Sequence, residues 1–359
     1  MRYQHVKVVI VGAGINGLCT AWQLAGELDG PEIVLVDRFL PGHARGSSHG
    51  EERITRSSYE SAEWVAASMR SRNELWPALE AAVQASLVVP GTAVFWGPED
   101  GPLPTYAAAC RMAGSRVEEV DVATARARFP HMTFAGADRV LHDHLAGVIA
   151  AARTMRALEA WLDAAGVRRI QGTVASIAED DTGVLVKTAD DAIRAEAAVV
   201  TAGPWVGALV PALRPRALPL RQHVGYWQMD VQAGRTPPWV HLGKTGLHYG
   251  LPTLAGGVMK AAKHRVVGSE DNPEVEVGPD LLELDEVGVQ LREWFAPGPG
   301  PRIDADTCFF TAVKDEAFIL EEPPGKTRVL AVSACSGHAF KLAPLTGEAA
   351  ARWAVRVAG

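Results

Sequence analysis

Residues 6–37 read VKVVIVGAGINGLCTAWQLAGELDGPEIVLVD, and this stretch decides the fold. Val8 to Val11 is an apolar, β-branched strand. Gly12, Gly14 and Gly17 follow in G-x-G-x-x-G spacing, Ile15 to Leu28 has helical periodicity, and Ile33 to Val36 is a second strand ending on Asp37. Each part has a task in holding a dinucleotide. Gly12 allows the tight turn, Gly14 a close approach of backbone to pyrophosphate, and Gly17 close packing of helix on strand. The helix start offers unpaired N–H groups and a partial positive charge to the phosphates. Asp37, twenty positions beyond Gly17, suits a ribose hydroxyl.

Working outward, 359 residues are too many for one ordinary core and imply two domains. A net charge of −7 without acidic or basic blocks points away from nucleic acid and anionic membranes. Cys19, Cys110, Cys308 and Cys335 lack metal-ligand spacing, so no metal is expected and a reduced, cytoplasmic setting is. The first strand begins at once, so no signal peptide is expected. The longest uncharged run, Ala197 to Leu213, carries two glycines and two prolines and makes a poor membrane span.

The remaining pattern is mixed α/β. Pro41 to Tyr59 reads as a loop leading into a helix, Glu63 to Gln84 as an amphipathic helix, and Val88 to Trp96 as a strand. Pro130 opens an irregular part, and Val148 to Ala165 is a long helix. Thr173–Ala178, Val184–Thr188 and Ala198–Thr201 read as strands, and residues 218–266 as an antiparallel block. The pattern predicts a discontinuous Rossmann-like nucleotide domain (1–80, 145–212 and 310–359) and an antiparallel substrate domain (81–144 and 213–309).

Several residues carry candidate chemistry. Arg53 and Arg56 share a face if their segment is helical, and two guanidiniums could then hold a carboxylate; the plainer reading is a solvated pair. Lys260 and His264 alternate along a strand and point to one side, near Tyr249; the alternative is an edge lysine facing water. Cys308 among aromatics reads first as a small buried hydrophobe, with a cofactor-bound role as the second option. Ser336 to Lys341 joins a strand to a helix, and its amides could meet an anion. Lys341 stands at the wrong end of that helix for a cation, which a substrate carboxylate would explain.

Together these stretches resemble the flavin-dependent amine oxidases of the D-amino-acid-oxidase superfamily, most of all the monomeric sarcosine oxidase and N-methyltryptophan oxidase branch. The resemblance rests on the N-terminal fingerprint, on Gly46-Ser-Ser-His49-Gly-Glu-Glu-Arg53-Ile-Thr-Arg56-Ser-Ser-Tyr59, on Tyr249 through His264, and on Thr307-Cys308 with Ser336-Gly-His338-Ala-Phe-Lys341. It implies an extended FAD held at Gly12, Gly14, Gly17, Asp37, Arg38, Ser47, His49, Val174, Gly337, His338 and Lys341, with a covalent thioether at Cys308. It implies that Lys260 activates O2, that Arg53 lies beside the flavin, that Arg56 and Lys341 hold a substrate carboxylate, and that Tyr249 and His264 line the pocket. The expected reaction takes a small secondary (N-methyl or cyclic) or primary amino acid to an imine, with O2 reduced to H2O2, in a monomer or weak homodimer. Runner-up readings are a dehydrogenase that passes electrons to a partner and a non-catalytic flavin-bound subunit. Departures from the family pattern are Glu52 where a small residue is usual, Phe310 where a tyrosine is usual, and an end at Gly359 without the family's longer tail. Glu52, a candidate substrate-binding residue, could neutralise an arginine or bind a more basic or larger substrate amine; with Phe310 it is expected to alter substrate choice, so sarcosine need not be the substrate.

Overall fold

In a computed structural model that describes residues 2–359 apart from Thr245, Val267, Ser269, Asp315, Ala334 and Cys335, the chain builds two sheets. Cys335 of the sequence reading thus lies outside the described residues. The eight-stranded sheet centres on Arg2–Val11, flanked in parallel by Ile33–Asp37 and Asp191–Val200, with Arg168–Gln171 and Val329–Ser333 farther out. Alternation sorts its side chains. Val8 and Ile10 pack with the helices Ile15–Leu24, Ala151–Ala164 and Ala339–Ala358, while Val9 and Val11 pack with the hairpin that carries Val184 and Val186. Burial on both faces is why this strand reads as a continuous apolar run.

The nine-stranded sheet runs Arg302–Ala312, Leu218–Gln228, Val258–His264, Gly246–Pro252, Trp239–Gly243, Val88–Gly97, Arg139–Ala150, Glu52–Thr55, with Val117–Asp121 also paired to Arg139–Ala150. Among the described residues, only the pairing of Trp239–Gly243 with Val88–Gly97 is parallel in this sheet. Trp96, Trp239 and Met259 on one face meet Trp294 of the helix Leu281–Trp294 in an aromatic core. Met259 and Ala261 belong to that core, so the period of two turns Lys260, Ala262 and His264 to the opposite face.

Four expectations change. The expected helix from Val148 starts at Ala151, because 148–150 finish the strand Arg139–Ala150. The irregular reading after Pro130 hid that strand, since His142-Asp143-His144 breaks its apolar pattern although Asp143 is fully buried. The segment at Arg53 is a strand, Glu52–Thr55, and not a helix. The strand expected at Thr173–Ala178 is Ser176–Asp180.

Candidate active site

The glycine turn shows why glycine stands there. Gly12 has φ +109°, a conformation L side chains avoid, and a Cβ on it would lie 2.5 Å from the Thr201 carbonyl oxygen. A Cβ on Gly17 would fall 1.9 Å from the Gly12 carbonyl oxygen, so helix and turn touch backbone to backbone. The Asp37 carboxylate closes the turn from the next strand: Ala13 N–H donates to its Oδ2 at 2.6 Å and Phe39 N–H to its Oδ1 at 2.8 Å.

From this turn a cavity of about 930 Å³ crosses to the second sheet. That is near the top of the roughly 300–1,000 Å³ of ordinary small-molecule sites. Gly12, Gly14, Asp37, Arg38 and Val174 line one end; Tyr226, Tyr249, Lys260, His264, Cys308 and Phe310 line the other. Arg38 donates to Glu274 Oε1 at 2.6 Å at the rim, and Glu274 also accepts from Trp205 Nε1 at 2.8 Å. Ser48 Oγ accepts from Ile15 N–H at 3.0 Å, which ties the loop to the helix start. Ser47 Oγ and His49 Nδ1 on the wall are buried without a hydrogen-bond partner among the described residues. Buried polar atoms are rarely left so, and a bound polar ligand would satisfy them. His49 Nε2 is 2.9 Å from the Thr307 carbonyl oxygen and 3.3 Å from Asp306 Oδ2, which pins the loop beside Cys308.

Four charged residues of this wall are buried: Glu52, Arg56, Lys260 and Lys341 are each 8% exposed or less. Buried charges are costly and need partners. Lys260 faces inward and donates to the Glu52 carbonyl oxygen at 3.3 Å, which overturns the edge-lysine alternative. Burial, and then the Arg53 charge, push its ammonium down to about 8, against the pull of Glu52, Cys308 and Asp306. Tyr226 stands directly across the ladder from Lys260, with the ammonium 5.7 Å from its ring centroid. Burial pushes the phenols of Tyr226 and Tyr249 above their ordinary range, so both remain neutral hydroxyls.

Arg53 and Arg56 do not share a helix face. Arg53 donates to the carbonyls of Glu52 (2.9 Å), Ser47 (2.9 Å) and His49 (2.5 Å) and so knits the loop together. Arg56, beyond the strand end, donates to Ser58 O at 2.7 Å and lies 4.1 Å from the Tyr59 ring centroid. The turn after Arg56 hangs on one buried acid. Asp143 accepts from Ser57 N–H (2.6 Å), Ser57 Oγ (2.8 Å), Ser58 N–H (2.9 Å), Ser58 Oγ (3.1 Å) and Leu145 N–H (2.9 Å). Glu52 Oε1 accepts from Leu254 N–H at 3.0 Å, so part of its carboxylate anchors a turn.

Lys341 sits in the first turn of Ala339–Ala358, and its ammonium donates to Gly337 O at 3.2 Å. Its own carbonyl accepts from Ser71 Oγ and Trp76 Nε1, both at 2.9 Å. Gly337 has φ +89°, and a Cβ there would lie 2.9 Å from the Phe310 ring. His338 Nε2 is 2.7 Å from Glu316 Oε2, and His264 Nε2 is 3.6 Å from Glu316 Oε1. Cys308 is half-buried on this wall, opposite Gln222 in the ladder.

The sequence reading missed Tyr226, Asp143, Asp306 and Glu316. Only strand register places Tyr226 beside Lys260; the other three are acids whose partners lie far off in the chain. Away from the cavity, ligand atoms of Glu118, His142 and His144 lie within 4.8 Å of one another. Arg128 already donates to Glu118 at 2.5 Å and reaches His142 Nδ1 at 3.1 Å, so an internal cation fills that cluster. No helix among the described residues is long and apolar enough to cross a membrane.

Comparison with known proteins agrees with this geometry. The family model described as FAD dependent oxidoreductase (DAO) matches residues 7–353. The peroxisomal sarcosine oxidase of Homo sapiens is 32% identical over 95% of this chain and 90% of that protein. The N-methyl-L-tryptophan oxidase of Citrobacter koseri is 28% identical over 99% of this chain and 95% of that protein. Among solved structures, NikD, an unusual amino acid oxidase essential for nikkomycin biosynthesis, has the same fold with a TM-score of 0.84, at 24% identity over 98% of this chain and 94% of that one.

Proposed function

Because the chain belongs to the DAO family of FAD-dependent oxidoreductases, we propose that it oxidises the C–N bond of a small, carboxylate-bearing secondary or primary amine to an imine and passes the electrons to O2, forming H2O2. The observation that carries this reading is the set of buried cations, Arg56, Lys260 and Lys341, on the cavity that begins at the glycine turn.

The residues present fit the cofactor. Gly12, Gly14 and Asp37 would take its dinucleotide part, and the unpartnered Ser47 Oγ and His49 Nδ1 would meet polar atoms farther along. Bound FAD supplies the two-electron oxidant that no side chain can provide. Cys308 is proposed as its covalent attachment point; the half-buried thiol position on the wall supports this. The first sheet and its helices would form the FAD-binding unit, and the second sheet the substrate unit.

Arg56 and Lys341 would bind the substrate carboxylate and so fix the amine carbon in one place, the contribution of orientation to rate. Fixed positive charge there also favours a neutral amine over an ammonium, and only the neutral amine has electrons to give. Lys260 would hold its proton toward the negative charge that develops on O2, in a site where water cannot screen it. Glu52, buried beside this ammonium, is proposed to bias substrate choice.

The test is anaerobic mixing of the yellow protein with sarcosine, other N-methyl amino acids, cyclic imino acids and primary amino acids. At least one should bleach the flavin, and air should then return the colour with about one H2O2 per turnover. Bleaching by none, or reoxidation only with an added acceptor and no peroxide, would sink the oxidase reading. Sarcosine as clearly the best substrate would sink the role given to Glu52. Acid precipitation should leave the colour on the polypeptide, whereas Cys308→Ala should release it.

A further inference from the structure

One half-buried acid of this wall has no part in the chemistry above. Glu316 lies between the strands Arg302–Ala312 and Ile319–Glu321 and lines the cavity with His264, His338, Arg56 and Lys341. Its backbone has φ +50°, a conformation that non-glycine residues adopt at a cost and that clusters at functional sites. Its Oε2 lies 2.7 Å from His338 Nε2 and its Oε1 3.6 Å from His264 Nε2. Burial would raise its pKa, but the side-chain contacts of His264 and His338 outweigh burial and hold it well below the usual carboxylate range. An ionised carboxylate only accepts, so the proton of the His338 contact belongs to Nε2. Burial, helped by the charges of Lys341 and Arg56 and opposed by Glu316, pushes His338 down to about 3, so the ring is neutral. Its single proton is therefore spent on Glu316. Its Nδ1 keeps a bare lone pair, buried and without a partner among the described residues.

We propose that Glu316 is a positioning residue: seated between His338 and His264, it holds the His338 ring proton on Nε2, so that this end of the cavity offers a nitrogen lone pair to the N–H of an amine whose carboxylate Arg56 and Lys341 hold. The assignment rests on the amine reading of the site. Guanidinium and ammonium groups are donors only, so beside Arg56 and Lys341 an amine N–H finds an acceptor only if something else supplies one. A ring that protonates near 3 is far too weak a base to deprotonate an ammonium, whose pKa is about 8 or higher. His338 thus orients a neutral amine and does not create one.

The experiment uses holoenzyme with ring-¹⁵N histidine and two carboxylates of one shape, pyrrole-2-carboxylate with an N–H donor and furan-2-carboxylate with a ring oxygen. NMR should show His338, identified by its loss in His338→Asn, protonated on Nε2, and its Nδ1 signal should move with the pyrrole acid and not with the furan acid. Calorimetry should show the pyrrole acid binding about tenfold tighter, the effect of one hydrogen bond into a desolvated acceptor. Glu316→Gln, whose amide can donate as well as accept, should bring that ratio close to one and mix the tautomers; Glu316→Asp should keep most of both. Unchanged flavin absorbance and far-ultraviolet circular dichroism would certify the fold of each variant. A His338 protonated on Nδ1, equal affinity of the two acids for the parent protein, or an unchanged ratio in Glu316→Gln would each overturn the assignment alone. Failure of both acids to bind would overturn the amine reading, and this assignment with it.

Discussion

At the scale of single residues, Lys260 gives the sharpest prediction. Its ammonium is pushed down to about 8 by burial and by Arg53. The protonated form, the one able to stabilise charge on O2, dominates below that pH and is lost above it. Reoxidation of the chemically reduced enzyme by O2 should therefore slow as pH rises through about 8. Lys260→Met should be slower by roughly 10²- to 10³-fold and lose that inflection, while reduction by substrate changes far less. Equal slowing of both half-reactions, or a flat profile in the parent protein, would refute the role. This lysine was legible in the sequence as an oddity, a cation inside an apolar strand. Its inward direction was not, because alternation tells which residues share a face but not which face meets the cavity. Arg53 and Arg56 are the converse case. The pair was picked out as a candidate on helical spacing, and the segment is a strand.

At the scale of elements, the loop and strand carrying these arginines depend on Asp143 in a different strand. Its carboxylate takes five hydrogen bonds, four of them from Ser57 and Ser58 just past Arg56. Asp143→Ala would strand those buried donors, and a buried donor left unsatisfied costs about 1–3 kcal/mol. We expect a lowered denaturant midpoint together with weakened binding of carboxylate ligands, because Arg56 loses the turn that aims it. A loss of stability with carboxylate affinity intact would show that the turn does not position the arginine. The sequence hid this dependence for a physical reason. A buried acid looks in a linear pattern like a break in a strand, and its partners lie about 85 residues away in the chain. Elements whose signal is local were read almost to the residue, as with Ile33–Asp37 and Val88–Gly97.

At the scale of the whole molecule, neutral histidines held in buried or half-buried positions set the response to acid. Burial pushes His241 and His248 down to about 4, and His142 likewise, with the charges of His144 and Arg128 adding to its shift. Between 6.5 and about 4 the unfolded chain binds protons that the native state refuses, so stability falls as pH drops through that window. Below about 4.5 the carboxylate of Glu316 adds a second loss, since its native pKa is depressed and its stabilising contribution disappears on protonation. The unfolding temperature of the flavin-loaded protein should therefore decline already between pH 6.5 and 5, before carboxylates titrate; a midpoint flat across that interval would show that these rings are not held neutral. The sequence by itself determined the nucleotide fold at the N-terminus, the mixed α/β class and the roster of candidate cations, because strand alternation, helix periodicity and glycine spacing are local properties of the chain. Only the tertiary structure decided which charges meet. Glu316 reaches His338, Asp143 reaches Ser57, and Tyr226 faces Lys260 through register and burial, and those depend on contacts between segments that no local pattern encodes.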